Sequence, residues 1–544
     1  MGTVKPQPFF GEEATRSPLG LPRPVESLCP ECLSVLAAEL FERDGRVLMR
    51  KSCPAHGPFE EVVAGNAEVF LRMERYGVEA SAELAQTPVQ EVGECPTGCG
   101  LCAGHLSSAS MTILDLTNRC NLKCPVCFAN ANVQPYVYEP DLEQIRGMME
   151  RALAVRPKRM QVIQFSGGEP TLSPHFLEAC RMAKGSGIKM IQAATNGIRF
   201  AREEGFAEQA AAAGLNAVYL QFDGVTDEVY EATRGVKGLW PLKLRAMDAF
   251  RRAGIRVTLV PTVVKGVNDH QVGDILRFAM RNLDVVVGVA PQPVAFTGRV
   301  DEAERAARRY TSSDLAVDIE KQTGLLVANR DWYPFSITAP FARIVDNVIG
   351  QDENGFLPML CNSHPDCGVS SFLLVNQETG ESVPVNELFE MDRALRLIQD
   401  LGRKTGQRPS RLFATAQFFS ILLKTFRPER APKGLHFLQL AKTIDAISGK
   451  RIMGIAKRRR YQWRLLLVAS MHFMDAYNFQ MDRVKRCTIH YSAPDGRLYP
   501  FCTYNSGRVF RTGVEQAHSV PKEEWLKSRG GRYVTEGFVG EGSE

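Results

Sequence analysis

Cys120, Cys124 and Cys127 stand in the stretch Thr117-Asn-Arg-Cys-Asn-Leu-Lys-Cys-Pro-Val-Cys127. Three thiolates packed so closely suit soft metals and iron–sulfur clusters. Three ligands for a four-iron cube leave one iron open to a further molecule, and chemistry belongs there. Phe165-Ser-Gly-Gly-Glu-Pro170 follows. Gly167 and Gly168 let the backbone come close to a ligand, Glu169 brings a carboxylate, and Pro170 ends the motif. Two knuckles lie upstream, Cys29-Pro-Glu-Cys32 and Cys53-Pro-Ala-His56. Their spacing is that of a mononuclear tetrahedral site for zinc or a rubredoxin-like iron. Four protein ligands leave no open position, so its role is structural.

Further thiols extend the pattern. Cys95, Cys99 and Cys102 form another three, and Cys361, Cys367, Cys487 and Cys502 come late in the chain. They suffice for two auxiliary clusters, one fully ligated and one with a non-Cys ligand or an open iron. His105, His364 or Asp366 could supply that missing ligand. Cys180 sits in a helical pattern and is expected to be simply buried.

These groups need elements to hold them. Apolar strands are expected at 111–117, 160–165, 188–194, 216–222, 255–262 and 284–290. Amphipathic helices are expected near 141–154, 174–184, 203–213, 239–253 and 271–282. Such alternation argues an α/β fold with a parallel sheet, here a partial (β/α)6 barrel. Active sites in barrels gather at the C-terminal ends of strands, and both main motifs fall at strand ends. Thr195-Asn-Gly197 ends the third strand and Gln221-Phe-Asp223-Gly224 the fourth. Asp223 reads either as a ligand-binding group or as a turn residue before Gly224. Arg234 reads either as a carboxylate binder or as a solvated helix end.

The chain of 544 residues divides into seven expected segments. A polar leader (1–25) precedes the Cys3His metal module (26–66), which folds as a hairpin around Asp44-Gly45. A helical linker and auxiliary-cluster segment (67–106) leads to the barrel (107–300). An auxiliary-cluster region (301–410) carries a hairpin around Thr379-Gly380. Basic apolar helices (411–484) and a last cluster segment with a tail (485–544) complete the chain. No uninterrupted run of about twenty apolar residues appears, so no transmembrane helix is expected. The leader is polar, without the apolar stretch of a secretion signal. The 14 cysteines cluster in metal-ligand spacings, which fits a reducing cytoplasm. The net charge of +5 hides an asymmetry: residues 401–464 carry sixteen Lys or Arg against Glu429 and Asp445. Lys457-Arg-Arg-Arg460 stands just before Tyr461 and Trp463. Bases among aromatic and apolar residues suit an anionic membrane surface; the rivals are a nucleic-acid surface and a solvated helix face.

The cysteine loop and the Gly-Gly-Glu-Pro, in order and each at a strand end, resemble the radical S-adenosylmethionine superfamily. The resemblance implies that the open iron holds the amino and carboxylate groups of S-adenosylmethionine. It further implies that one-electron reduction yields a 5′-deoxyadenosyl radical that abstracts hydrogen, with an electron donor such as ferredoxin or flavodoxin. Glu169 then serves an ammonium group, and Asn196, Gln221 and Asp223 serve ribose or methionyl groups. The family's aromatic residue before the third cysteine is replaced by Val126, and Phe128 is the aromatic here.

The complete order of motifs, from Cys29 to Cys502, is similar to the tetraether synthase family and its membrane-spanning-lipid relatives. Related sequences bear the label of class D radical methylases of a pterin. The first likeness implies carbon–carbon bond formation between alkyl chain ends of anionic membrane lipids, by an enzyme peripheral at the membrane. The second implies methylation of a pterin or other small molecule. A non-enzymatic iron–sulfur electron carrier leaves the Gly-Gly-Glu-Pro unexplained.

Overall fold

The computed structural model describes residues 7–9, 19–77, 93–96, 98–102, 104–107, 109–156, 160, 162–297, 304–337, 363–404, 411–447, 462–506 and 510–528. Cys361 and the run Lys457–Arg460 lie outside the described residues.

The N-terminal module is an antiparallel sheet of β1 (Arg23–Leu28), β2 (Val35–Arg43), β3 (Arg46–Cys53) and β4 (Gly57–Ala64), in that order. Asp44 and Gly45 turn between β2 and β3 at φ 53° and 73°, the left-handed pair that a tight hairpin needs. Leu40, Val47, Met49 and Val63 alternate onto one face and bury Phe70 of α1 (Ala67–Glu74). The metal knuckles hang from the other end, one after β1 and one between β3 and β4.

Six parallel strands form the partial barrel: β5 (Met111–Asp115), β6 (Val162–Ser166), β7 (Met190–Thr195), β8 (Ala217–Gln221), β9 (Arg256–Val260) and β10 (Val286–Val289). The helices between them are α2 (Leu142–Ala154), α3 (Phe176–Gly185), α4 (Phe206–Ala213), α5 (Asp227–Arg234), α6 (Leu239–Ala253) and α7 (Val272–Arg281). Leu114, Phe165, Ile191, Val218, Leu220, Val257 and Leu259 point outward and are fully buried beneath these helices. Strand alternation sends Asp115, Gln164, Gln192, Tyr219, Gln221 and Thr258 to the lumen. Tyr219, Gln221 and Thr258 stay partly open there. Each strand and helix lies within a few residues of its expected place, and Cys180 is buried as expected.

The sheet continues beyond the barrel. β13 (Ile489–Ser492) pairs parallel with β5 at one edge. At the other, β12 (Trp463–Met471) pairs parallel with β10 and antiparallel with β11 (Gly368–Asn376). This corrects the reading of Leu465–Val468 as helix. A short continuous apolar run fits a buried strand as well as a helix, and the free edge of β10 decides it. Trp463, grouped with the membrane-facing bases, is buried at 2% exposure against Leu374 and Phe389. The expected helices are present at Arg411–Thr425 and Phe437–Ile447, where Phe413, Leu423 and Leu438 are exposed. No helix among the described residues is long and apolar enough to cross a membrane.

Buried ions join the metal module to the rest. Arg309 donates to Glu61 of β4 at 3.1 Å and to Asp475 at 2.6 and 3.2 Å. Lys51 of β3 donates to Ser27 Oγ and to the carbonyls of Ala476 and Tyr477 at 2.8–3.0 Å. Removing one partner of such a group strands the others in a low dielectric. Arg309→Met should therefore lower stability by about 3–5 kcal/mol, read as an earlier chemical unfolding midpoint and earlier proteolysis between module and barrel. An unchanged midpoint would contradict this account of the joint.

Candidate active site

The cysteine loop leaves the end of β5 and the glycine loop leaves the end of β6. The two strands are in register, with Asp115 opposite Ser166. Just beyond, the two loops bond directly. Gly168 N–H donates to Thr117 O at 2.7 Å, and Glu169 N–H donates to Arg119 O at 2.8 Å. A Cβ on Gly168 would lie 2.2 Å from Arg119 O, and one on Gly167 (φ 129°) would lie 2.1 Å from Thr117 O. Both glycines are therefore required by backbone packed on backbone.

Asparagines shape the loop from within. Asn132 accepts from Cys120 N–H at 3.0 Å and donates to the carbonyls of Cys120 and Leu122 at 2.8 and 3.1 Å. Asn118 spans to the strand segment Tyr136–Tyr138, accepting from Tyr138 N–H at 3.1 Å. The sequence reading missed both. Its available signal was Asn130-Ala-Asn132 directly after the thiols, since asparagine tolerates the left-handed backbone that both adopt, at φ 49° and 67°.

The three thiols lie together in a partly buried pocket with Leu122, Tyr230, Leu239 and Leu242. Burial pushes Cys120 well up, and the neighbouring Cys124, Glu169 and Cys127 add to it. Donors nevertheless face the sulfurs. Ala131 N–H donates to Cys127 Sγ at 3.4 Å, and the Asn196 amide reaches Cys120 Sγ at 4.0 Å. Burial also raises Cys124, while the Arg234 guanidinium lowers it. Thiols crowded together and met by donors fit a metal cluster, which holds the thiolate form.

Glu169 is deeply buried. Its Oε1 accepts from Thr171 N–H at 3.3 Å, Thr171 Oγ1 at 2.6 Å and Thr195 Oγ1 at 2.8 Å, and its Oε2 accepts from Asn196 N–H at 2.8 Å. It ties the glycine loop to the end of β7, and Oε2, with one donor, keeps a lone pair. Asp223 is committed. It accepts from Arg234 Nε at 2.5 Å and Nη2 at 2.7 Å, from Thr233 Oγ1 at 3.2 Å and from Thr262 N–H at 3.0 Å. The turn reading of Asp223 thus gains a partner, and Arg234 is a buried ion, not a solvated helix end. Arg234 also reaches Val126 O at 3.4 Å, on the cysteine loop. Burial would lower Arg234, but Asp223 and Cys124 outweigh it and hold it above its usual value. Lys243, another residue the sequence reading missed, donates to Asn196 O at 2.6 Å and Gln221 Oε1 at 2.7 Å. Burial pulls it down to about 7, against the pull of Asp223. Asn196 donates to Asn121 Oδ1 at 2.6 Å. Asn196, Gln221 and Asp223 thus form a layer beneath the loop.

In the N-terminal module the ligand atoms of Cys29, Cys32, Cys53 and His56 lie within 4.8 Å of one another. Cys32 Sγ to Cys53 Sγ is 3.9 Å, and His56 Nδ1 lies 3.4 Å from Cys53 Sγ and 3.6 Å from Cys29 Sγ. Metal–sulfur bonds of about 2.3 Å and metal–nitrogen bonds of about 2.0 Å give tetrahedral edges of about 3.8 and 3.6 Å. The donor set fits one metal.

The late thiols also converge. The hydrogen bond that the Cys99 thiol donates to Cys95, then burial, and the nearby Cys95, Cys102 and Cys487 thiols push Cys99 up. Burial, then Cys502 and Cys367, push Cys487 up. Arg483 stands against Cys367 and Cys502. His105 is turned to Cys487 O at 2.7 Å, and the His364 ring accepts from Asp366 N–H at 3.2 Å.

A parallel partial barrel with a three-thiol loop at its first strand end defines a radical S-adenosylmethionine enzyme. The Radical SAM superfamily matches residues 114–279, and the HMPTM N-terminal zinc ribbon domain matches residues 21–65. The chain is 38% identical over 505 residues to the 7,8-dihydro-6-hydroxymethylpterin dimethyltransferase of Methanocaldococcus jannaschii, covering 92% of this chain and 96% of that protein. It belongs to that protein's family. A GTP 3′,8-cyclase of Rhizobium etli is 28% identical over 38% of this chain and 58% of its own length. Streptococcus suis SuiB bound to precursor peptide SuiA is a solved structure with 17% identity and a TM-score of 0.33, covering 40% of this chain and 46% of that one. The cofactors are S-adenosylmethionine, a four-iron four-sulfur cluster and a mononuclear metal in the ribbon.

Asn132→Ala removes three contacts that shape the loop. Such bonds contribute about 0.5–1.5 kcal/mol each. The variant should keep the fold while losing most cluster occupancy, seen as a drop of roughly one cube in iron and sulfide. Full occupancy would show that the loop needs no such brace.

Proposed function

We propose that this enzyme methylates a reduced pterin. The observation that carries the reading is the polar lumen. Gln164, Gln192, Tyr219, Gln221 and Thr258 face it, and Gln192 donates to Gln164 Oε1 at 2.7 Å. An alkyl chain would leave the hydroxyls of Tyr219 and Thr258 unpaired, at a cost of roughly 1–3 kcal/mol each. A flat heterocycle with ring nitrogens and carbonyls can pair with them. The full-length relative named above acts on a pterin, which was the second reading of the sequence. Lipid coupling, the first, draws on the exposed Phe413, Leu423 and Leu438, on Lys424, Arg427, Arg430 and Lys433 among them, and on the run Lys457–Arg460 outside the described residues.

Cys120, Cys124 and Cys127 would hold the cluster, with S-adenosylmethionine over the ends of β5 to β8. When bound, these groups supply one-electron cleavage and hydrogen abstraction. The chain's own part is to hold them still and dry. Gly167, Gly168 and Glu169 fix the loop, Arg234 balances thiolate charge, and Asn196 and Gln221 orient the layer below. The ribbon site would hold its metal through Cys29, Cys32, Cys53 and His56. Cys367, Cys487 and Cys502, with Cys361, would hold one auxiliary cluster, and Cys95, Cys99 and Cys102 the other. A ferredoxin or flavodoxin would donate electrons.

The test is an anaerobic incubation of reduced enzyme with S-adenosylmethionine as radical source, 7,8-dihydro-6-hydroxymethylpterin and a one-carbon donor, read by mass spectrometry. A pterin heavier by one or two methyl groups is expected, together with 5′-deoxyadenosine. C120A/C124A/C127A should abolish both while other iron stays bound. A modified lipid with no modified pterin would restore the lipid reading.

A further inference from the structure

The wall of the lumen beside β5 holds a charge that the protein leaves unbalanced. Asp115 ends β5, next to the cysteine loop. Its neighbours Leu114 and Leu116 enter the outer core, so Asp115 faces inward. It is 3% exposed. Arg511 from the helix Arg511–Ala517 donates to Asp115 Oδ2 at 2.6 Å. The same Nη1 reaches Glu515 Oε1 at 3.3 Å, and Arg511 Nε donates to Asn505 Oδ1 at 2.9 Å. One guanidinium thus serves two buried carboxylates. Burial pushes Glu515 up to about 7, against Arg511. Tyr136 Oη donates to Glu515 Oε2 at 3.5 Å. Asp115 Oδ1 has no hydrogen-bond partner among the described residues.

A buried carboxylate oxygen without a donor is costly, and native proteins fill such positions. Arg511 is itself held beside the stacked pair Tyr491 and Tyr504, whose rings are 4.4 Å apart, at 5.1 and 4.9 Å from their centres. Asp115 is opposite Ser166, and the lumen amides of Gln164 and Gln192 lie one step further down the strands. A donor that completes Asp115 Oδ1 would lie next to the cysteine loop.

We infer that Asp115, held by Arg511, is the specificity residue that binds the 2-amino and N3–H edge of a 2-amino-4-oxopteridine. This rests on the pterin reading of the lumen and names the group that reads the ring. The 2-amino group donates to Oδ1. N3–H donates to the second lone pair of Oδ2, whose first is taken by Arg511. Two parallel bonds to one carboxylate fix the ring in its own plane. A 2,4-dioxopteridine offers a carbonyl where the amino group was, and that carbonyl would face Oδ1 acceptor to acceptor.

Fluorescence titration of the holoenzyme under argon with pterin and with lumazine tests this. Wild-type protein should bind pterin at least about 100-fold more tightly than lumazine, because sites built for a hydrogen bond reject ligands that lack it. In Asp115→Asn the amide keeps its oxygen toward Arg511 and turns its NH2 toward the ligand. Preference should then invert toward lumazine, which general damage to the site would not produce. S-adenosylmethionine binding and iron content should stay at wild-type levels in the variant. If wild-type protein binds neither pteridine, the pterin reading itself falls. If it binds both alike, or if the variant keeps the wild-type preference, the assignment of Asp115 is overturned while the pterin reading stands. Should the variant not load iron, the wild-type ratio alone decides.

Discussion

The whole site depends on two main-chain hydrogen bonds, from Gly168 to Thr117 and from Glu169 to Arg119. They join the loops of two neighbouring parallel strands just beyond their last ladder pair, where a sheet ordinarily frays into water. Nothing larger than glycine fits, because the facing carbonyls stand where a Cβ would be. The clamp converts a flexible cysteine loop into an extension of the sheet. Glu169 then passes the constraint to the third strand through Thr195 and Asn196, and Lys243 passes it to the fourth through Gln221. Four strand ends become one rigid rim.

Charge follows the same logic. Buried thiols resist ionisation, as the upward push on Cys120 and Cys124 shows. A cluster site must overcome that, and the fold places Arg234 against Cys124 to help. Arg234 would in turn be an isolated buried cation without Asp223. The carboxylate that sequence pattern offers to a ligand is thus consumed inside the protein. A polar residue at a barrel mouth serves the substrate only when its own neighbours leave it a free lone pair.

That is also where the sequence stopped being legible. The six barrel strands and their helices were readable because outward residues such as Leu114, Phe165 and Val218 impose clear periods on the chain. The thiols were readable because ligand spacing is local, and the four ribbon ligands converge as expected. Gly167 and Gly168 signalled a close approach, but sequence does not say that the carbonyls of Thr117 and Arg119 are what they approach. Leu465–Val468 was misread because its partner strands, 368–376 and 286–289, lie far away in the chain. Asp115 and Arg511, distant in sequence, were invisible for the same reason: neither residue forms a motif, and only packing brings them to 2.6 Å.

The ribbon poses the remaining question, why an enzyme should carry a metal with no open position. Its surroundings answer in mechanical terms. Lys51, on the strand that ends at Cys53, holds the carbonyls of Ala476 and Tyr477. In the same turn Met474 N–H donates to Cys502 Sγ at 3.3 Å, and Asp475 is locked by Arg309, which also holds Glu61 of the ribbon. A four-stranded sheet of this size buries only a small core, Leu40, Val47, Met49 and Val63 with Phe70. Metal binding supplies rigidity as folding energy. The ribbon is then a stiff bracket, and what it holds in place is the turn that reaches Cys502. Were Cys502 to hold an auxiliary cluster as proposed, the bracket would fix where that cluster sits.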